Sequence, residues 1–220
     1  MRDRKTLLQK EELERIAREF LEAVDENPDR PGLIETPKRV AKYWMELLEG
    51  QKYTNDEIAD MYDKCFDLDD DEESDVDLTK GDTGLKRDLV IEKDIPIFSH
   101  CEHHIALMYD MKVTIAYIPN KRVIGLSKMG RISEMVGKRL QLQEKIGADI
   151  NYIMRKILGT EDVAVVIEGK HGCMTARGVK SREAITRTAS LDFTPLAVIH
   201  PCLPSMTTAT SSVPKIFLII

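Results

Sequence analysis

The hydrophobic period of this 220-residue chain changes near residue 89, and that change restricts what it can fold into. Upstream the period is helical. Leu13, Ile16, Ala17, Phe20 and Val24 recur on one helix face, and Asn27-Pro28 ends the run. Thr36-Pro37 reads as an N-cap and first-turn proline for a stripe of Val40, Ala41, Trp44, Leu47 and Leu48, which stops at Gly50. Thr54 and Glu57 have capping-box spacing, predicting a shorter helix through Ile58, Met61 and Tyr62. Downstream the period becomes that of strands. Leu89-Val90-Ile91 opens β structure, and residues 112–118 alternate as a strand until Pro119-Asn120. Residues 123–126 read as a short return strand, and 131–158 as one long helix with Ile132, Met135, Val136, Ile146, Ile150, Ile153 and Ile157 inward. Residues 163–167 read as a buried strand and 173–179 as another. Helices followed by hairpin, long helix and hairpin predict an α+β fold with an antiparallel sheet.

Length favours one domain with a helical appendage. The expected division is a helical region over 1–66, an acidic loop over 67–88, a domain over 89–188 that holds the sheet, and a tail over 189–220. The net charge of −6 is local in origin: eight of the eleven residues from Asp67 to Asp77 are acidic, and without them the chain would carry about +2. The overall sign therefore says nothing against an anionic ligand elsewhere. No window approaches the ~18 apolar residues of a membrane span, and MRDRKTLLQKEELER lacks a signal peptide's apolar core. Neither a membrane nor a nucleic-acid partner is expected, and the location expected is cytoplasmic. Thiols stay reduced there, so Cys65, Cys101, Cys173 and Cys202 read as ligands, nucleophiles or buried apolar residues rather than a disulfide framework.

Four of the five histidines flank two of the cysteines, in His100-Cys101-Glu102-His103-His104 and in His171-Gly172-Cys173. Cysteine and histidine are the ligands zinc prefers, and a catalytic zinc site uses three of them plus water. Either cluster alone could be packing, since free cysteine is a common core residue. Two clusters, each at a strand end, favour a metal. A fully structural site with His103 or His171 as fourth ligand stays open at this point.

The stretch from Asp94 to Arg177 resembles the GTP cyclohydrolase I family. The segments that carry the resemblance are IPIFSHCEHH, VTIAYIPNKRVIGLSKMGRI, LQLQEKI, EDVAVVIEGKHGCMTARG and, upstream, GLIETPKRVAKYW, covering most of residues 32–188. The resemblance implies the tunnelling fold, an antiparallel sheet backed by long helices with an N-terminal helical extension. It also implies the zinc-dependent conversion of GTP and water to 7,8-dihydroneopterin triphosphate and formate. Cys101, His104 and Cys173 become the zinc ligands, with the fourth position left for water. His171 is implied as the acid at N7 of the guanine, His103 as a group assisting proton transfer, and Ser127 as a residue beside the ribose. Glu144 is implied as the guanine anchor, with Gln143 beside it. Lys128, Arg131, Arg177, Arg39 and Lys42 fall to the triphosphate. The family assembles as a decamer of two pentamers with active sites at interfaces, so a homo-oligomer is implied.

After Thr186-Arg187-Thr188 the resemblance breaks. The chain continues ASLDFTPLAVIHPCLPSMTTATSSVPKIFLII, with four prolines after residue 194, and helix is not expected there. Pro201 and Pro204 argue against His200 and Cys202 as a second metal site. The alternatives to the active enzyme are an assembly-impaired zinc-binding homologue and a relative on the same fold acting on another precursor. A zinc-free relative with a cysteine nucleophile fits CEHH and HGC poorly.

Overall fold

A computed structural model describes residues 2–67, 89–177 and 184–192. The expectations for the acidic run beyond residue 67 and for the tail beyond residue 192 lie outside these residues. In chain order the elements are α1 (Arg2–Ala23), α2 (Thr36–Leu47), a 3-10 turn (Glu49–Lys52), α3 (Asn55–Tyr62), β1 (Cys65–Asp67), β2 (Val90–Cys101), β3 (Ala106–Tyr117), β4 (Arg122–Ile124), α4 (Leu126–Gly137), β5 (Leu140–Gln141), α5 (Gln143–Leu158), β6 (Val163–His171), α6 (Gly172–Thr175) and β7 (Thr186–Asp192). The expected α+β class is what is found.

The N-terminal signals act as local chemistry requires, with one correction. Thr54 and Glu57 form the capping box: the Glu57 N–H donates to Thr54 Oγ1 at 3.2 Å, and the Thr54 N–H donates to Glu57 Oε2 at 2.8 Å. Pro37 sits in the first turn of α2, but the capping position belongs to Glu35 and Thr36 is already helical. The Thr36 N–H donates to Leu33 O at 2.8 Å, and Pro37 at the next position has no N–H to be capped. Of the α1 stripe only Ala17 is buried, while Ile16, Phe20 and Val24 are exposed.

The main sheet has the order β5-β2-β3-β6-β7, antiparallel except for a two-residue parallel contact of β5 with β2. Asp94 and Asp110 take positive φ (58° and 51°) at register shifts of the β2–β3 and β3–β6 ladders. Aspartate tolerates the left-handed region better than most residues, and such bulges bend the sheet. Helices α4 and α5 pack on one face, and Ile132, Val136, Ile146, Ile150 and Ile153 are buried with Val113, Ile115, Val165 and Ile167 of the strands. The inward set expected from the sequence is thus correct except at Met135, which is only partly buried.

Three expected elements are corrected. Residues 131–158 are not one helix: α4 ends at Gly137 and α5 begins at Gln143. The break has a tertiary cause. A Cβ at Gly137 would lie 2.9 Å from Phe98 O, so the chain passes against β2 there. Arg139 then turns inward, where Nε donates to Gly50 O at 3.2 Å, Nη1 to Asn55 Oδ1 at 2.7 Å and Asp149 Oδ2 at 3.0 Å, and Nη2 to Tyr53 O at 2.9 Å. The return strand is β4, ending at Ile124, and it pairs with β1 rather than with β3. Residues 172–175 form a helical turn in place of the start of a strand.

The Arg139–Asp149 pair is buried, and both partners have further hydrogen bonds. Removing one partner of such a pair leaves an uncompensated charge. Asp149→Ala is expected to destabilise the fold by about 3–5 kcal/mol, measured as a lowered urea midpoint; an unchanged midpoint would refute the pair's role.

Candidate active site and metal centre

Strand pairing brings the two Cys/His clusters to one end of the sheet. Cys101, the last residue of β2, lies opposite Ala106 of β3, and Met108 of β3 lies opposite His171, the last residue of β6. Between β2 and β3 the chain turns through Glu102–Ile105, closed by the Ile105 N–H donating to Cys101 O at 2.8 Å. Ile105 has φ 52°, an uncommon conformation for a β-branched residue. On the other side Gly172 lets β6 run into α6 close to β3, since a Cβ there would lie 2.9 Å from Leu107 O. The Tyr109 hydroxyl donates to Thr175 Oγ1 at 3.2 Å and ties α6 to β3.

The side chains of Cys101, His104 and Cys173 come together, their ligand atoms all within 4.8 Å of one another, and can hold a metal ion. Cys101 is buried, Cys173 half-buried and His104 exposed. Burial pushes the Cys173 thiol up, the neighbouring Cys101 adds to this, and the Arg177 guanidinium opposes it. Without a cation Cys173 therefore resists ionisation, and binding a metal through its thiolate releases a proton. His103 is exposed beside the group, with Nδ1 3.9 Å from Cys101 Sγ.

The first turn of α5 adds to this end. Gln143 Oε1 lies 2.9 Å from His171 Nε2. Glu144 is exposed, close enough for its charge to raise the His171 pKa, against the larger lowering by burial. One chain thus assembles Cys101, His103, His104, Gln143, Glu144, His171, Cys173 and Arg177.

It does not assemble the rest. Ser127, Lys128 and Arg131 lie on the first turns of α4, directly after β4. The Ile124 N–H donates to the Tyr117 hydroxyl, at the opposite end of β3 from Ala106. Helix α4 starts at that end and runs to Gly137, beside Phe98 of β2. Arg39 and Lys42 are exposed on α2, where Lys42 lines a cavity of about 310 Å³ with Lys10, Met45, Glu46, Glu49 and Lys52. The packing of Trp44 of α2 against buried His100, ring centroids 5.1 Å apart, connects that helix to β2.

Sequence reasoning did not single out Tyr109, Arg139 or the Trp44–His100 contact, because each acts through a partner distant in sequence. No local pattern marks them.

Compared with known families, residues 13–194 match the model of GTP cyclohydrolase I. The chain belongs to the GTP cyclohydrolase I family. Its α+β sheet, backed by helices and preceded by a helical segment, is the tunnelling fold of that family. A curated Clostridium acetobutylicum protein named GTP cyclohydrolase 1 is 52% identical over 181 residues, spanning 81% of this chain and 86% of its own. A Clostridium botulinum (strain Loch Maree) protein of the same name is 54% identical over 179 residues, with the same two shares. One from Ruminiclostridium cellulolyticum is 53% identical over 184 residues, spanning 84% of this chain and 89% of its own. The GTP cyclohydrolase I match begins upstream of the segments that suggested it and extends through β7. The family is one of hydrolytic enzymes. Among the described residues no helix is long and apolar enough to cross a membrane.

With zinc as the probe ion, Cys173→Ser is expected to abolish stoichiometric binding. Gly172→Ala, which drives α6 away from Leu107, is expected to weaken it on the order of 10–100-fold. Competition with a chromophoric chelator measures both, and wild-type affinity in either variant would contradict the site.

Proposed function

We propose that this chain is a zinc-dependent GTP cyclohydrolase I, acting in the cytoplasm on GTP and water to give 7,8-dihydroneopterin triphosphate and formate, at the start of tetrahydrofolate and pterin biosynthesis. The observation that carries the reading is the Cys101–His104–Cys173 group with His171 and Glu144 at the same end of the sheet. The donor set fits zinc: two thiolates and an imidazole are its preferred ligands. The three side chains that would hold it already have their ligand atoms within 4.8 Å of one another. When bound, zinc supplies Lewis acidity and lowers the pKa of water toward ~7.

The protein's own groups do the rest. Glu144 accepts hydrogen bonds from the N1–H and the 2-amino group of guanine, a pattern adenine cannot offer, so GTP is selected over ATP. His171 gives a proton to N7, which makes C8 electrophilic toward water, and His103 assists the later transfers. Ring opening followed by a second hydrolysis frees C8 as formate. Ser127 acts at the ribose as it opens, rearranges and closes onto the exposed amine with loss of water. Lys128, Arg131, Arg177, Arg39 and Lys42 bind the triphosphate, the arginines through paired contacts to its oxygens.

The separation of Ser127, Lys128 and Arg131 from the metal group supports a site completed by a second copy of the chain, within a homodecamer of two pentamers. On this reading a lone chain is inactive.

Zinc-loaded protein incubated with GTP is expected to release formate and to form a pterin that fluoresces after oxidation. An intact oligomer that does neither would sink the reading. A second experiment tests the shared site. Cys173→Ser and Arg131→Ala chains, each inactive alone, are expected to regain turnover when co-expressed and purified as mixed oligomers, because some sites then draw both intact residues. Mixed oligomers as inactive as their parents would place every site within one chain.

A further inference from the structure

Gln143 is the first residue of α5 and is 1% exposed. Its amide nitrogen donates to Ile167 O of β6 at 3.1 Å and to Thr186 O of β7 at 3.0 Å, and lies 3.3 Å from Thr188 Oγ1. Its amide oxygen lies 2.9 Å from His171 Nε2. The two ends of a glutamine amide are nearly equal in shape, so their partners decide which way it faces. Here two backbone carbonyls require the nitrogen, since an oxygen in that place would face them with no proton between. The oxygen is thereby left for His171, and it can only accept.

The consequence falls on the imidazole. In neutral histidine one ring nitrogen carries hydrogen and the other a lone pair, and the hydrogen bond made by one determines the state of the other. An acceptor fixed by two strands holds the hydrogen on Nε2. Nδ1 is then the atom of the exchangeable proton: it holds that proton in the imidazolium and a lone pair once the proton is given up. Neither hydrogen of the Gln143 amide is left to meet a base, which sets Gln143 apart from exposed Glu144 beside it.

Resting on the cyclohydrolase reading above, we infer that Gln143 is a positioning residue: clamped by β6 and β7, it keeps a hydrogen on His171 Nε2, so that Nδ1 is the nitrogen that exchanges the proton with the guanine ring. It acts through His171 and makes no contact with the base. The strand contact also makes the orientation of His171 depend on β7, through the Thr186 carbonyl and the Thr188 hydroxyl.

A double-mutant cycle on the full-length, zinc-loaded protein tests this. Gln143→Met keeps side-chain length while removing donor and acceptor. It is expected to lower kcat for formate release about 10–100-fold, with KM for GTP, zinc content and oligomer size unchanged. In a His171→Ala background the same substitution is expected to change kcat by no more than about twofold, because residues acting as a unit are non-additive. Should Gln143→Met fail to assemble, the cycle is run with Gln143→Asn, whose shorter amide withdraws from His171. Independent, multiplying losses would overturn the inference, as would a raised KM at unchanged kcat, which would return Gln143 to the guanine. A wild type releasing no formate would remove the cyclohydrolase reading and this inference together; an active wild type with independent losses would remove this inference alone.

Discussion

The registers of the β2–β3 and β3–β6 ladders set Cys101 opposite Ala106 and His171 opposite Met108, and the geometry of the site follows from these two pairings. Strand side chains alternate with a period of two, so a slip of one residue in either ladder would turn a whole row to the wrong face. The apolar rows prevent that slip. Val113 and Ile115 on β3 and Val165 and Ile167 on β6 must all face the helices to be buried. Core packing therefore fixes the register, and the register in turn delivers two clusters remote in sequence to one end of the sheet. The bulges at Asp94 and Asp110 lie within these same ladders and bend the sheet between its fixed ends.

Helix α5 carries out the next step by polar contacts with the strands. Gln143 and Asn151, eight residues apart and so on nearly the same face, both donate to carbonyls of β6 and β7: Gln143 to Ile167 O and Thr186 O, Asn151 to Val163 O and Ser190 O. The buried Arg139–Asp149 pair holds the segment before α5 against the 3-10 turn and α3. Buried ion pairs contribute little net stability over apolar packing, but they can specify one arrangement. Here the specified arrangement puts the first turn of α5, with Gln143 and Glu144, beside His171.

Much of the fold was legible where the signal is local. The Thr54–Glu57 capping box, the proline opening α2 and the strands bearing the clusters all depend on neighbours a few residues away. The errors share one cause. Lys138, Arg139, Leu140 and Gln141 are good helix formers, so propensity alone continues the helix through them, while the buried bonds of Arg139 and the approach to Phe98 end it. β4 reads as a hairpin partner of β3 because period cannot choose between strands, and β1 takes it. The turn after Gly172 follows from the distance to Leu107, which no window of sequence contains.

The sequence by itself determined the α+β class and the two Cys/His clusters with their ligand chemistry. Those depend on residue type, local spacing and hydrophobic period, all read along the chain. Tertiary structure decided the remainder: that Cys101, His104 and Cys173 converge, that Gln143 turns its amide oxygen to His171, and that α4, which carries Ser127, Lys128 and Arg131, starts at the far end of the sheet. These outcomes depend on strand register and on which buried polar groups find partners. Both are set by contacts between residues far apart in sequence, whose energies no local pattern records.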